Sequence, residues 1–192
     1  MPSIKEVKST HAQDASDASD EEWSQVEALL RTWKRRTREG QHSHHGAGKA
    51  YRRAHYAIAV PTIALTTALG TSALATISNA APANMKIVTG VVGLLAAVSG
   101  AIQLNLRLPE RGEKHKNLGA QYGNIRRSLE ATLAIPRKDR GDPKKVLTEI
   151  QSQLDRISNE GEAISDRRFK KTVRQLQKWD EERGRALSQL PN

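Results

Sequence analysis

The chain has 192 residues, no cysteine, and 31 Lys or Arg against 21 Asp or Glu, a formal charge of +10. The lack of cysteine excludes disulfides and thiolate metal or redox sites, and a mean hydropathy of −0.63 makes the chain polar on average. A basic balance of this size ordinarily suggests nucleic acid, but here the position of the charge says more than its amount.

Residues 1–18 are rich in Ser, Asp, Ala and Gln without apolar periodicity, and are expected to form a disordered tail. An amphipathic helix is expected over 19–40. Ser19 and Glu22 have capping-box spacing, and Asp20 and Glu21 suit the positive end of the helix dipole. Trp23, Val26, Leu30 and Trp33 then make one apolar stripe. Gly40 is the expected stop, and 41–48 a break or a weak helical passage.

From Tyr56 to Leu106 the only charged residue is Lys86. Two apolar stretches fill this interval, 57–77 (AIAVPTIALTTALGTSALATI) and 87–106 (IVTGVVGLLAAVSGAIQLNL). Each is close to the roughly 20 residues a helix needs to cross the hydrocarbon core of a bilayer. The link 78–86 carries Asn79, Pro82 and Asn84, so the chain should turn and come straight back. The region 41–107 therefore reads as a transmembrane hairpin. Helices buried in a soluble bundle usually show a polar face, and neither stretch has a charged one. A signal peptide is a poor fit as well, because the first fifty or so residues are polar.

Lys49, Arg52 and Arg53 stand just before the first span, and Arg107, Arg111, Lys114 and Lys116 just after the second. Lys and Arg beside span ends stay on the cytoplasmic side, so both termini are expected in the cytoplasm and the short turn outside. Arg52, Arg53, Arg107 and Arg111 should fix depth and meet anionic headgroups, with Tyr51 and Tyr56 as interfacial aromatic anchors. The lipid bilayer is then the partner that explains the charge, and nucleic acid is not required.

The region 108–192 is expected to be cytoplasmic and helical. Leu118, Tyr122, Ile125, Leu129 and Leu133 lie at helical spacing until Pro136. The turn 136–143 (PRKDRGDP) reverses direction; Val146, Ile150, Leu154 and Ile157 mark a further helix ending near Gly161. A last helix uses Phe169, Val173 and Leu176 and extends toward Leu187. Its basic residues Arg167, Arg168, Lys170, Lys171 and Arg174 read as a solvated face.

On the second span Thr89, Gly93, Ala96, Gly100 and Gln103 share one helical face, with Ser99 at its edge. The opposite face carries Val91, Leu94, Leu95, Val98 and Ile102. The first span has Ala64, Ala68 and Ser72 at small-xxx-small spacing. Small stripes allow close helix packing within a hairpin or an oligomer; alternatively several copies of the second span line a polar pore. Gln103, costly to leave in lipid, sustains the pore reading. No catalytic constellation, metal site or cofactor is expected. His42, His44 and His45 crowd together without a spaced second ligand pair, and 70–75 (GTSALA) lacks the lysine and spacing of a phosphate loop.

The basic tryptophan helix 29–38, the run 45–73 (HGAGKAYRRAHYAIAVPTIALTTALGTSA) and the segment 96–136 resemble the SLATT family of two-transmembrane bacterial proteins. The matching positions are Gln103, Arg107, Glu110 and Arg111 through His115, Tyr122, Arg126 and Leu129, after Tyr51, Arg52 and Arg53 leading to Pro61. The likeness covers about residues 23–180. It departs from the pattern at Gly46 and Gly48, which should loosen the helix before the membrane, and at 161–165 (GEAIS), where a proline-containing link would fit. The resemblance implies a pore-forming or membrane-perturbing effector of bacterial conflict, antiphage defence included, in the inner membrane. It also implies a homo-oligomer triggered by a separate nucleotide-signal synthase, its nucleotide product or another sensor protein. The expectation is thus an all-α membrane protein, not an enzyme: a two-helix hairpin with cytoplasmic amphipathic helices, assembled as an oligomer. Its rival is a non-conducting membrane scaffold, in a viral or organellar membrane if not a bacterial one.

Overall fold

The computed structural model describes residues 4–77 and 82–188, with side chains over 21–71 and from 82 onward. The described residues are helical, with no strand. In chain order they form α1 (Ile4–Ile77), α2 (Ala83–Leu106), α3 (Leu108–Ala134), a short 3-10 turn (Arg137–Asp139), α4 (Pro143–Glu160) and α5 (Asp166–Ser188).

Helix α1 corrects three expectations at once. It starts at Ile4, so 4–18 is helical rather than a disordered tail, and Ser19 is not its first residue. Nothing between Ile4 and Glu39 forbids a helix: no Gly or Pro occurs there, and Ala, Lys, Glu and Gln favour one. The helix also runs through Gly40 and the whole of 41–48 without a break. At Gly40 a Cβ would lie 3.1 Å from the Tyr122 ring, so this glycine serves close approach to α3 and does not end the helix.

The chain divides into two compact units, one of Met1–His44 with Asn117–Asn192 and the other of His45–Lys116. In the first, Trp23 and Leu30 of α1, Leu118, Ile125 and Leu129 of α3, and Ile150 and Ile157 of α4 form the buried core. Val26, Trp33, Tyr122, Leu133, Val146 and Leu154 pack around it. These are the stripes read from the sequence, and α5 adds Leu176, only 4% exposed.

Polar contacts fix the order of these helices. Arg140 reaches back from the turn after α3 to donate to the carbonyls of Leu133 and Ile135, closing the C-terminus of α3. The same guanidinium lies over the Trp23 ring and pairs with Glu27 at 2.5 Å, while Arg137 pairs with Glu27 at 3.0 Å. These two arginines hold the Glu27 carboxyl well down, from 4.5 to about 2. Gly141 takes φ +81° in the reversal, and Asp142 then caps α4 by accepting from the Lys144 N–H at 2.8 Å. Arg38 grips Asp180 of α5 with two hydrogen bonds of 2.8 and 2.9 Å, which lowers the Asp180 pKa and raises that of Arg38.

The other unit holds the apolar ends of α1 and α2. Helix α2 begins at Ala83, four residues ahead of the expected 87, with Pro82 as its extended N-cap. It ends at Leu106, where Arg107 takes a left-handed φ of 44° before α3 begins at Leu108. This unit continues beyond 107 to Lys116, because the first turns of α3 pack on α1.

Candidate functional site

One helical stretch among the described residues, Ala83–Ala134, is long and apolar enough to cross a membrane, and α2 is its apolar part. Its most apolar window has a mean hydropathy of 2.0 and is only 6% buried. The core helix of a soluble protein would be mostly covered. The exposed set includes Val91, Leu94, Leu95, Val98 and Ile102, the apolar face read from the sequence, together with Ile87, Val88 and Leu104. On α1 Tyr56, Val60 and Ile63 are exposed in the same way.

The small and polar face of α2 turns the other way. Ala96 is 5% exposed, and Thr89, Gly93, Gly100 and Gln103 are half-buried. Gly93 approaches Leu69 of α1, and Gln103 donates from Nε2 to the Thr62 hydroxyl at 3.1 Å. Leu69 is the later residue on α1 and Gly93 the earlier on α2, so the two helices run antiparallel. On α1 the inward residues are Ala59, Thr62, Leu65 and Leu69, whereas Ala64 and Ala68 face outward. Ser72 and Asn79 lie outside the residues whose side chains are described.

Hydrogen bonding inside this pair is nearly self-contained. Thr62, Thr66, Thr67 and Thr71 each donate to a carbonyl three or four residues back. Asn105 does likewise to Ala101 at 2.9 Å. Pro61 lies inside the helix and takes away the amide that would bond the Ala57 carbonyl. The adjacent Thr62 hydroxyl supports the same turn by donating to Ile58 at 2.7 Å, while it accepts from Gln103. Hydroxyls already bonded to their own helix need no water, which removes most of the cost of placing them in an apolar medium.

At its base the unit is built differently. Gly48 and Gly112 bring α1 and α3 together backbone to backbone: a Cβ on Gly48 would stand 2.9 Å from the Gly112 carbonyl oxygen. Gly48 was expected to loosen the helix, and instead it permits this crossing. Gly46 has open space around it. Beside the crossing Tyr51 stacks on His115 with centroids 5.4 Å apart and planes 11° from parallel. His115 is only 2% exposed and Tyr51 is half-buried against it, while Tyr56 is left exposed. A cavity of about 460 Å³ opens next to the crossing, lined by Lys49, Arg52, His55, Tyr56 and Lys116 among others.

Of the four basic residues expected at the membrane boundary, Arg52 lines this cavity, and Arg107 makes a loose pair with Glu110 at 3.7 Å. Arg53 and Arg111 are exposed. His42 and His44 lie on a continuous helix, not in a loop; His42 meets the Trp179 edge, and His44 stacks on Tyr122. Sequence reasoning missed the Gly48–Gly112 crossing and the cavity beside it. The signal was present as two glycines with basic residues one helical turn away, but only their pairing gives it meaning.

No protein-family model, curated protein or solved structure matches the chain.

Proposed function

We propose that this chain is a membrane-embedded effector of the SLATT type. The helical pair 57–77 and 83–106 crosses a bilayer as a hairpin, with both termini on the cytoplasmic side. The helices outside the membrane form the module that answers a trigger, a nucleotide signal or a separate sensor protein, and several copies assemble into a pore. The bacterial inner membrane is the setting that the resemblance implies. The observation that carries the reading is the exposed apolar surface of α2, where Leu94 is 67% and Leu104 80% exposed on a helix with no charge beyond Lys86. Continuous apolar surface of this kind calls for lipid or another subunit. The self-bonded Thr hydroxyls support the same medium.

A second reading is favoured by one contact. The Gln103 amide is already bonded to Thr62 inside the pair, which fits a non-conducting anchor that presents a helical scaffold to a partner. For a pore along the Thr89–Gln103 stripe, Gln103 must leave Thr62 and face a lumen. Ion flux through liposomes carrying the purified protein, with its mass in detergent measured in parallel, separates the two. The pore reading expects a ring-sized oligomer that leaks once triggered, and a leak abolished by Gln103→Leu. An oligomer that stays tight with nucleotide or sensor partner added overturns it in favour of the scaffold.

A further inference from the structure

The cavity at the base of the hairpin has a composition that neither packing nor membrane anchoring requires. Lys49, Arg52 and Lys116 bring cationic groups to it from two helices, and His45 and His55 add ring N–H groups. Glu113 answers only part of this charge, pairing with Lys116 at 2.9 Å. Lys49 and Arg52 have no carboxylate partner among the described residues, so two cations of α1 face a concave space whose one lining carboxylate, Glu113, is paired with Lys116. The walls cannot collapse on that space, because backbone contact at Gly48 and Gly112 fixes the distance between α1 and α3.

Such a site is complementary to a phosphate group, which offers several acceptor oxygens to Lys and Arg donors at once. The cavity of about 460 Å³ has room for a headgroup. Tyr56, 58% exposed, forms one side of it, and α1 continues from there with exposed Val60 and Ile63. A charged pocket that leads onto an apolar helix surface matches an amphiphile with its tails lying along the helix.

We propose that this cavity binds the phosphate of an anionic phospholipid, with Lys49 and Arg52 as its principal donors and Lys116 as the third. The proposal rests on the membrane reading for the source of the phosphate, but not for the phosphate chemistry, which a soluble phosphate ester would share. It differs from general attraction of basic flanks to a charged surface, because it assigns binding to the cations that line the cavity and not to their neighbours.

The test uses the full chain purified in a neutral maltoside detergent. Binding of dioctanoyl phosphatidylglycerol is measured by calorimetry beside dioctanoyl phosphatidylcholine, which has the same tails and no net charge, and beside glycerol phosphate, which has no tails. The expected result is preference for phosphatidylglycerol over phosphatidylcholine, reduced roughly tenfold or more in Lys49→Gln/Arg52→Gln. The double variant Arg53→Gln/Lys114→Gln, equal in charge but away from the cavity, should stay within about twofold of wild type. Both pairs are exposed, so the fold tolerates their loss. Equal weakening by the two double variants, or no preference between the lipids, overturns the site. If glycerol phosphate binds as tightly as the lipid and shows the same Lys49 and Arg52 dependence, the phosphate site stands and its ligand is soluble. Failure of the membrane reading is seen separately, as failure of the wild-type chain to insert into vesicles of phosphatidylcholine alone.

Discussion

Glu27 accepts hydrogen bonds from two guanidiniums on one carboxylate, and this makes the stability of the first unit sensitive to acid. Its side chain is 13% exposed, that of Arg140 only 7%, and its pKa falls from 4.5 to about 2. The unfolded chain takes up this proton near 4.5 and the folded chain only near 2, so protonation opposes the fold between those values. The stabilisation is complete above pH 4.5 and disappears as the pH falls through about 2. Glu27→Gln should cost roughly 1–3 kcal/mol at neutral pH, since it strands a nearly buried guanidinium. It should also flatten the melting temperature measured between pH 4.5 and 2; an unchanged slope would remove Glu27 from the account. Gln103 makes the opposite case. Its bond to Thr62 is worth about 0.6 kcal/mol within a membrane pair, so Gln103→Leu should barely shift thermal unfolding in detergent. A loss of conduction in that variant would then report on the ion path and not on the fold.

Among the helices, the faces were legible in the sequence, as were the ends at Leu106 and near Gly161, whereas the course of α1 through its glycines was not. Trp23, Val26, Leu30 and Trp33 repeat at three and four residues, and that spacing places them on one side of a helix whatever lies opposite. Gly40 and Gly48 have no such local meaning. Local propensity reads a glycine as a stop or a loosening, and only the arrival of Tyr122 or Gly112 from α3 shows why a side chain is absent. The pairs Glu27–Arg137 and Arg38–Asp180 were hidden for the same reason, being 110 and 142 residues apart. The glycines give a clean comparison. Gly48→Ala must displace the Gly112 carbonyl and should destabilise the hairpin unit by about 1–3 kcal/mol. Gly46→Ala meets open space and should stabilise α1 by up to about 1 kcal/mol. Thermal unfolding of the two variants in detergent should therefore move in opposite directions, and an equal shift would refute the crossing. The outward Ala64 and Ala68 bear on assembly: Ala64→Leu with Ala68→Leu should lower the oligomer mass in detergent if copies meet through that face.

For the molecule as a whole, the polar average conceals a division of labour. One unit is a helical bundle with a modest apolar core, closed by arginine–carboxylate pairs. The other leaves the aliphatic side chains of α2 exposed and bonds its threonine hydroxyls to its own helix, unlike a water-soluble fold. On the proposed membrane reading this surface meets lipid, where the backbone and hydroxyls must be satisfied internally while aliphatic side chains cost nothing outside. The basic flanks Lys49, Arg52, Arg53, Arg107 and Arg111 then predict which side each end occupies. Since the chain has no cysteine, single introduced thiols report topology without background. The most direct test is labelling of Lys86→Cys and Ser188→Cys in intact spheroplasts with a membrane-impermeant maleimide. A hairpin with both termini inside predicts labelling of Lys86→Cys at once and of Ser188→Cys only after permeabilisation. Labelling of Ser188→Cys in intact cells, or a Lys86→Cys thiol protected until lysis, would contradict it.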